Sequence, residues 1–277
     1  MQGSPYSKIG IIVFSCNIRY NRRIVNRKHL KNACQPPDVS PLQGTLPDIH
    51  PTVGKRETRF TFPERLYRAR EAIAPIFPQL VCSVINRIPC HLSEMTVLDL
   101  GGGDGTWIEA FFAAGVPVGI LLDREAVAVE CGTVRLSGLP GSTFLGIRGV
   151  AESIPLKSGC VDLIVSRNAL HFWNPLEISI QEAFRVLKPG GNFFCGRGFG
   201  PDLSQTTREI VKERRKEYYR SFVLDRVEAD EPPSPTPEVL ENLLRETGFS
   251  TIQVIPDHKS YWVSAKKPAS YQVPGVK

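Results

Sequence analysis

From residue 96 onward, short apolar runs alternate with longer stretches in which apolar positions recur every three to four residues. Thr96–Leu100, Val118–Leu122, Thr143–Ile147, Val161–Ser166 and Asn192–Gly196 read as buried strands. Between or after them, Gly105–Ala114, Arg124–Leu136 and Ile178–Leu187 read as helices. Two further helices are predicted over Ser204–Phe222 and Pro237–Glu246, and two closing strands over Gly248–Ile255 and Ser260–Ala265. Strand–helix alternation of this kind implies parallel strands joined by right-handed crossovers, an α/β doubly wound sheet with helices on both faces. Upstream, Pro63–Ile88 has helical spacing at Leu66, Ala69, Ile73 and Ile76. Pro75 and Pro78 divide it into two short helices.

The junction of the first strand and helix carries the chemistry. Val97-Leu98-Asp99-Leu100 runs into Gly101-Gly102-Gly103-Asp104-Gly105-Thr106, a glycine turn opening a helix. Glycine permits positive φ and close approach of a ligand to the backbone, and the helix start offers free N–H groups to an anion. The pattern is Asp-x-Gly-x-Gly-x-Gly. Thr106 stands where a dinucleotide fingerprint wants its third small residue. About 20 residues on, Asp123 ends the next apolar run, placing a carboxylate where ribose hydroxyls are bound in such sheets. The alternative role for Asp123 is to cap the helix over Arg124–Leu136. Ligands sit beyond the carboxyl ends of strands in this architecture. Asp99, Gly101, Asp123, Ala151 and Ser166 all fall at such ends.

These residues resemble the class I S-adenosylmethionine-dependent methyltransferases, specifically the type 11 group of small-molecule enzymes. The likeness covers roughly residues 63–268 and rests on several blocks in order. They are Val97–Thr106, the Asp123 strand end, Gly149-Val150-Ala151-Glu152-Ser153-Ile154-Pro155, Val161–Ser166, and Glu182-Ala183-Phe184-Arg185-Val186-Leu187-Lys188-Pro189-Gly190-Gly191. The resemblance implies a Rossmann-like, mostly parallel seven-stranded sheet whose last strand is antiparallel, with S-adenosyl-L-methionine as cofactor. It implies cofactor contacts from Asp99, Gly101, Gly102, Gly103, Asp123, Arg124, Ala151, Glu152 and Ser166. The cofactor's ammonium suits Asp99, its carboxylate the N–H groups of the 101–105 loop, and its ribose Asp123. Arg124 borders the adenine or is simply solvated. The segment before the first strand is expected over the cofactor cleft, and residues 201–234 as a helical cap inserted over the acceptor. The charge run within Ser204–Phe222 also reads as a solvated face.

One block departs from the family. Its usual Asp-Ala-Glu is Val150-Ala151-Glu152 here, and Val150 cannot accept a bond from the adenine amino group. After the fourth strand come Arg167, Asn168, His171, Phe172 and Trp173. His171 has a reference pKa near neutrality and is the candidate general base, or else a packing residue. Phe172 and Trp173 line an apolar acceptor pocket or the core. The Asn/Asp-Pro-Pro-aromatic signature of amino-group methylation is missing from this strand end. The expected function is therefore transfer of a methyl group to a small-molecule acceptor by in-line displacement. The alternatives are a cofactor-binding protein without transfer activity, or an RNA-modifying enzyme.

Charge and cysteine usage add to this picture. Residues 1–56 hold nine Lys/Arg against two acids, a net +7 within an overall +6, so residues 57–277 are near neutral. A basic, Pro-rich extension over 1–56 can bind nucleic acid or an anionic surface, or serve as a flexible or targeting segment. The seven cysteines form no C-x-x-C pair, which points to reduced thiols in a cytoplasmic protein and to no metal site. No apolar run reaches the length of a membrane span.

Overall fold

The computed structural model describes residues 69–88, 91–222 and 232–270, excepting the side chains of 218–222. The basic extension over 1–56 lies outside these residues, as does the start of the Pro63–Ile88 segment.

Seven strands form one sheet: β1 (Thr96–Leu100), β2 (Val118–Asp123), β3 (Thr143–Arg148), β4 (Val161–Arg167), β5 (Leu187–Gly196), β6 (Ser250–Asp257) and β7 (Ser260–Lys266). Their spatial order is β3-β2-β1-β4-β5-β7-β6. The pairings among β1 to β5 are parallel, and β7 runs antiparallel to both β5 and β6. The order reverses at β1, which pairs Asp99 with Leu121 of β2 on one side and Val165 of β4 on the other. Such a reversal splays the two flanking crossovers apart and opens a crevice beyond the strand ends.

The period of two along each strand divides the core between the sheet's faces. Leu98, Leu100, Ile164 and Phe193 meet helices α4 (Leu176–Val186) and α6 (Pro237–Thr247) through Ile180, Phe184, Leu240 and Leu244. Val97, Leu163, Val165 and Phe194 face the other way. There they meet α1 (Ile76–Ile85), α2 (Thr106–Ala113) and α5 (Gln205–Phe222) through Leu80, Trp107, Phe111 and Val211. Helix α3 (Ala126–Leu136) belongs to the crossover between β2 and β3.

Most predicted boundaries agree to within two residues. The largest difference is β5, which starts at Leu187 rather than Asn192. Pro-Gly-Gly reads locally as a turn. Here Leu187 pairs with Val161, the register then shifts, and Gly190 and Gly191 exchange backbone bonds with Lys267. A bulge of this kind keeps the segment within the sheet. The Pro-interrupted segment is two helical pieces, at 69–73 and at α1, with Pro78 in the first turn of α1, where a missing N–H costs nothing.

One placement differs from expectation. Helix α1 buries Ile76, Leu80 and Val84 against the sheet face beside α2, and none of its residues borders the cleft described below. Helix α5 is tied to α1: Gln79 Nε2 donates to Thr207 Oγ1 at 2.5 Å and Ser204 N donates to Gln79 Oε1 at 3.0 Å. Its charge run is mostly solvated, but Arg208 is buried and paired with Asp257. Among the described residues no helix is long and apolar enough to cross a membrane. Cys195 lies in the core of β5, where burial pushes its thiol pKa up, and Cys160 falls just before β4, half-buried.

Candidate functional site

The crevice at the switch point is a cleft of about 260 Å³. Gly101 forms its floor, Leu122, Asp123, Arg124 and Glu125 one wall, and Gly149–Glu152 the next. Asn168, Ala169, Phe172 and Trp173 close it from the β4 side. Segments far apart in sequence thus converge because each follows the carboxyl end of a strand.

The glycine turn is packed too tightly for any side chain at two positions. Gly101 has φ +72°, and a Cβ there would lie 2.6 Å from the Cβ of Ala169. A Cβ on Gly102 would lie 2.3 Å from Asp99 Cγ. The turn's amides are spent internally. Gly101 N and Gly102 N donate to Leu122 O, Gly103 N to an Asp123 carboxylate oxygen at 2.8 Å, and Gly105 N to Gly102 O. The expectation that this loop presents free N–H groups to a carboxylate is therefore not met at these four positions.

Asp123 accepts from Gly103 N through one oxygen and from Glu125 N, at 2.9 Å, through the other. It is not the cap of α3, whose N-cap is Glu125 without a side-chain bond. Its carboxylate is instead held at the lip of the cleft by two amides. Arg124 extends across the same lip, its guanidinium 5.2 Å from the centre of the Phe172 ring, a cation–π contact that shapes the opening.

Asp99 lies beneath the turn, 2% exposed, and its Oδ1 has no hydrogen-bond partner. Desolvation, followed by the nearby Asp123 charge, pushes its pKa up to about 8, with Arg167 pulling the other way. An orphaned buried acceptor of this kind fits a ligand's N–H donors.

The 149–156 loop is held from behind. Glu182 accepts from Ile154 N, while Arg185 binds Glu182 and donates to the carbonyls of Ile154 and Leu156, each at 2.8 Å. The Arg185 hydrogen bond keeps the Glu182 carboxyl below its ordinary pKa. Glu152 accepts from Asn174 N at 2.6 Å, tying this wall to the β4 side. Val150 is exposed and lines the cleft, presenting a methyl surface to it.

Of the nine cofactor candidates, Gly101, Asp123, Arg124, Ala151 and Glu152 line the cleft. Gly102, Gly103 and Asp99 do not border it but build its floor, through close packing and the bond to Asp123. Ser166 is a correction: it is fully buried and donates to Leu100 O at 2.8 Å, joining β4 to β1 instead of meeting a ligand. His171 is another. It is buried on a 3-10 turn, stacks at 4.0 Å on Phe172, and lines a separate small cavity with Tyr261 and Ser234 rather than this cleft. Phe172 and Trp173 line the cleft itself. Asn168, one of the candidates after the fourth strand, is a wall residue; its left-handed backbone, φ +56°, is one that asparagine tolerates. Among the described residues no three His, Cys, Asp or Glu side chains are grouped to hold a metal ion.

Known proteins resemble the region around this cleft. The family model for methyltransferase domains matches residues 98–195, which run from β1 to β5 and include the glycine turn, Asp123 and the 149–156 loop. Over those residues, about a third of the chain, the protein is similar to methyltransferase domains. Within this chain, 101 residues are 34% identical to a ubiquinone/menaquinone biosynthesis C-methyltransferase of Acidiphilium cryptum, covering 36% of this chain and 41% of that protein. A demethylmenaquinone methyltransferase of Lactococcus lactis is 25% identical over 182 residues, 58% of this chain and 68% of that protein. The aligned part thus spans less than half of the first relative. The sheet and its helices also match the crystal structure of a Methanococcus maripaludis protein assigned by inference as an S-adenosyl-L-methionine-dependent methyltransferase. That match has a TM-score of 0.58 at 23% identity, covering 79% of this chain and 100% of the other, and it speaks to the fold.

Proposed function

We propose that this methyltransferase domain transfers the cofactor's methyl group to a small-molecule acceptor. The observation carrying this reading is the cleft at the β1 switch point, with the amide-held Asp123 at its lip and an orphaned Asp99 acceptor under its floor. The residues fit the cofactor. Asp123 accepts from the ribose hydroxyls, Asp99 from the ammonium, and Leu122, Val150 and Ala151 offer an apolar wall to the adenine. Bound there, S-adenosyl-L-methionine supplies an activated methyl group on a sulfonium. The chain's own part is to fix the position of the reactants and exclude water, which alone removes several kcal/mol of barrier. Asn168, on a constrained backbone with its Oδ1 accepting from Gly198 N at 2.9 Å, holds the β4 and β5 ends together around the reacting region.

A second reading, cofactor binding without transfer, draws on Val150 and on His171 facing away from the cleft. Incubation with methyl-labelled cofactor and a small-molecule extract separates the two. Label moving into low-molecular-mass products supports transfer. Tight cofactor binding with no label moved supports the second reading.

Asp99 also gives cofactor binding a pH signature. An ammonium beside it favours the ionised carboxylate, so its pKa falls from about 8 on binding. The bound state then holds fewer protons than the free state. Affinity for S-adenosylhomocysteine should rise with pH toward about 8 and level off above it. Calorimetry below that range, in buffers of different ionisation heat, should show proton release that is absent in Asp99→Asn. Equal heats in all buffers would count against this role.

A further inference from the structure

The cleft and its neighbours leave one charged group unused. Arg167 ends β4, one residue before Asn168, and strand alternation turns it toward the α1, α2 and α5 face. Its Nε donates to Gly198 O at 2.9 Å, and its guanidinium lies 5.7 Å from the centre of the Phe77 ring. Those contacts orient the head group, and its two terminal nitrogens have no hydrogen-bond partner among the described residues. Arg215 on α5, over the Phe199 ring at 5.4 Å, repels it. Desolvation first, and then Arg215, lower the Arg167 pKa to about 10, so it remains a cation at neutral pH.

Asp99 and Asp257 favour this charge through space, but neither is hydrogen-bonded to Arg167 among the described residues. Asp257 is committed to Arg208, Gly200 N and Trp262 Nε1. Asp99, whose carboxyl pKa burial pushes up to about 8, is assigned to the cofactor's ammonium in the reading above. A partly desolvated guanidinium with its terminal donors open is matched to an oxyanion.

We propose that the methyl acceptor is an anionic small molecule whose carboxylate or phosphate is bound by Arg167. This rests on the methyltransferase reading above. It places acceptor recognition at the ends of β4 and β5, beside the cofactor cleft.

The test is calorimetric titration of the full chain, loaded with S-adenosylhomocysteine, with benzoate, phenyl phosphate and neutral benzamide. Saturable binding of at least one anion, with none for benzamide, is expected. Arg167→Met should weaken the anion by about tenfold or more while changing S-adenosylhomocysteine affinity by less than about twofold. Which anion binds tells a carboxylate acceptor from a phosphate. The proposal is overturned if neither anion binds the unaltered protein, or if the variant binds it equally well. It is also overturned if the variant loses S-adenosylhomocysteine affinity by about tenfold, since Arg167 would then hold the cofactor's own carboxylate. If Arg167→Met does not fold, Arg167→Lys makes the same comparison, keeping the charge without the fork. Failure of the unaltered chain to bind S-adenosylhomocysteine would sink the underlying reading as well, and is read separately in the first titration.

Discussion

Replacing Asp123 by Ala should weaken S-adenosylhomocysteine binding by about ten- to a hundredfold, as loss of hydrogen bonds to a charged acceptor costs about 1.5–3 kcal/mol. Two effects add. The ribose hydroxyls lose their acceptor, and Gly103 N loses the bond that pins the glycine turn to the end of β2. Glu125 N loses its partner too, but Glu125 is exposed and its amide can turn to water. Asp123→Asn keeps an acceptor oxygen and should fall between the two proteins. Its side-chain amide can satisfy only one of the two backbone donors now held. Titration calorimetry at matched pH is the measurement. A change of less than about twofold in the Ala variant would remove Asp123 from the site.

The largest effect on stability is expected at Asp257. It is 4% exposed and accepts from Arg208 at 2.8 Å, from Gly200 N at 2.9 Å and from Trp262 Nε1 at 3.1 Å. Arg208, 7% exposed, also donates to Gly200 O at 2.6 Å. The cluster anchors the segment between β5 and α5, from which Gly198 O receives Arg167. Removing one partner leaves a buried charge unanswered, so Asp257→Ala should cost about 3–5 kcal/mol. In a protein of this size that corresponds to a fall in Tm of roughly 10 °C. Replacing both partners by apolar residues, Arg208→Met with Asp257→Leu, should recover much of the loss. Thermal melts of the three variants check this. A loss below about 1 kcal/mol in Asp257→Ala would mean that the pair is effectively solvated.

What could be read from the chain alone follows from local rules. Periods of two and of three to four residues mark which face of each element is buried. Their alternation sets the parallel order, and a glycine cluster after an apolar run has few conformations other than a tight turn. Hence the sheet from Thr96 onward, the turn at 101–105 and the acid at Asp123 were all legible before any coordinates. The family blocks added the cofactor.

What required the tertiary structure is how each polar group is satisfied, because that depends on strand register between distant residues. Ser166 is spent on Leu100, 66 positions away, and Arg208 on Asp257, 49 positions away. The amide of Gly103 is taken by Asp123, 20 positions on. No local pattern shows that these groups are engaged, so a serine and a loop amide that looked available to a ligand are not. The same holds for direction. His171 and Phe172 are adjacent in sequence, yet the 3-10 turn sends one to a separate cavity and the other into the cleft. Hydrophobic periodicity and chain order determined the scaffold and the place of the cleft. Only packing across the sheet decided which side chains remain free to meet a ligand.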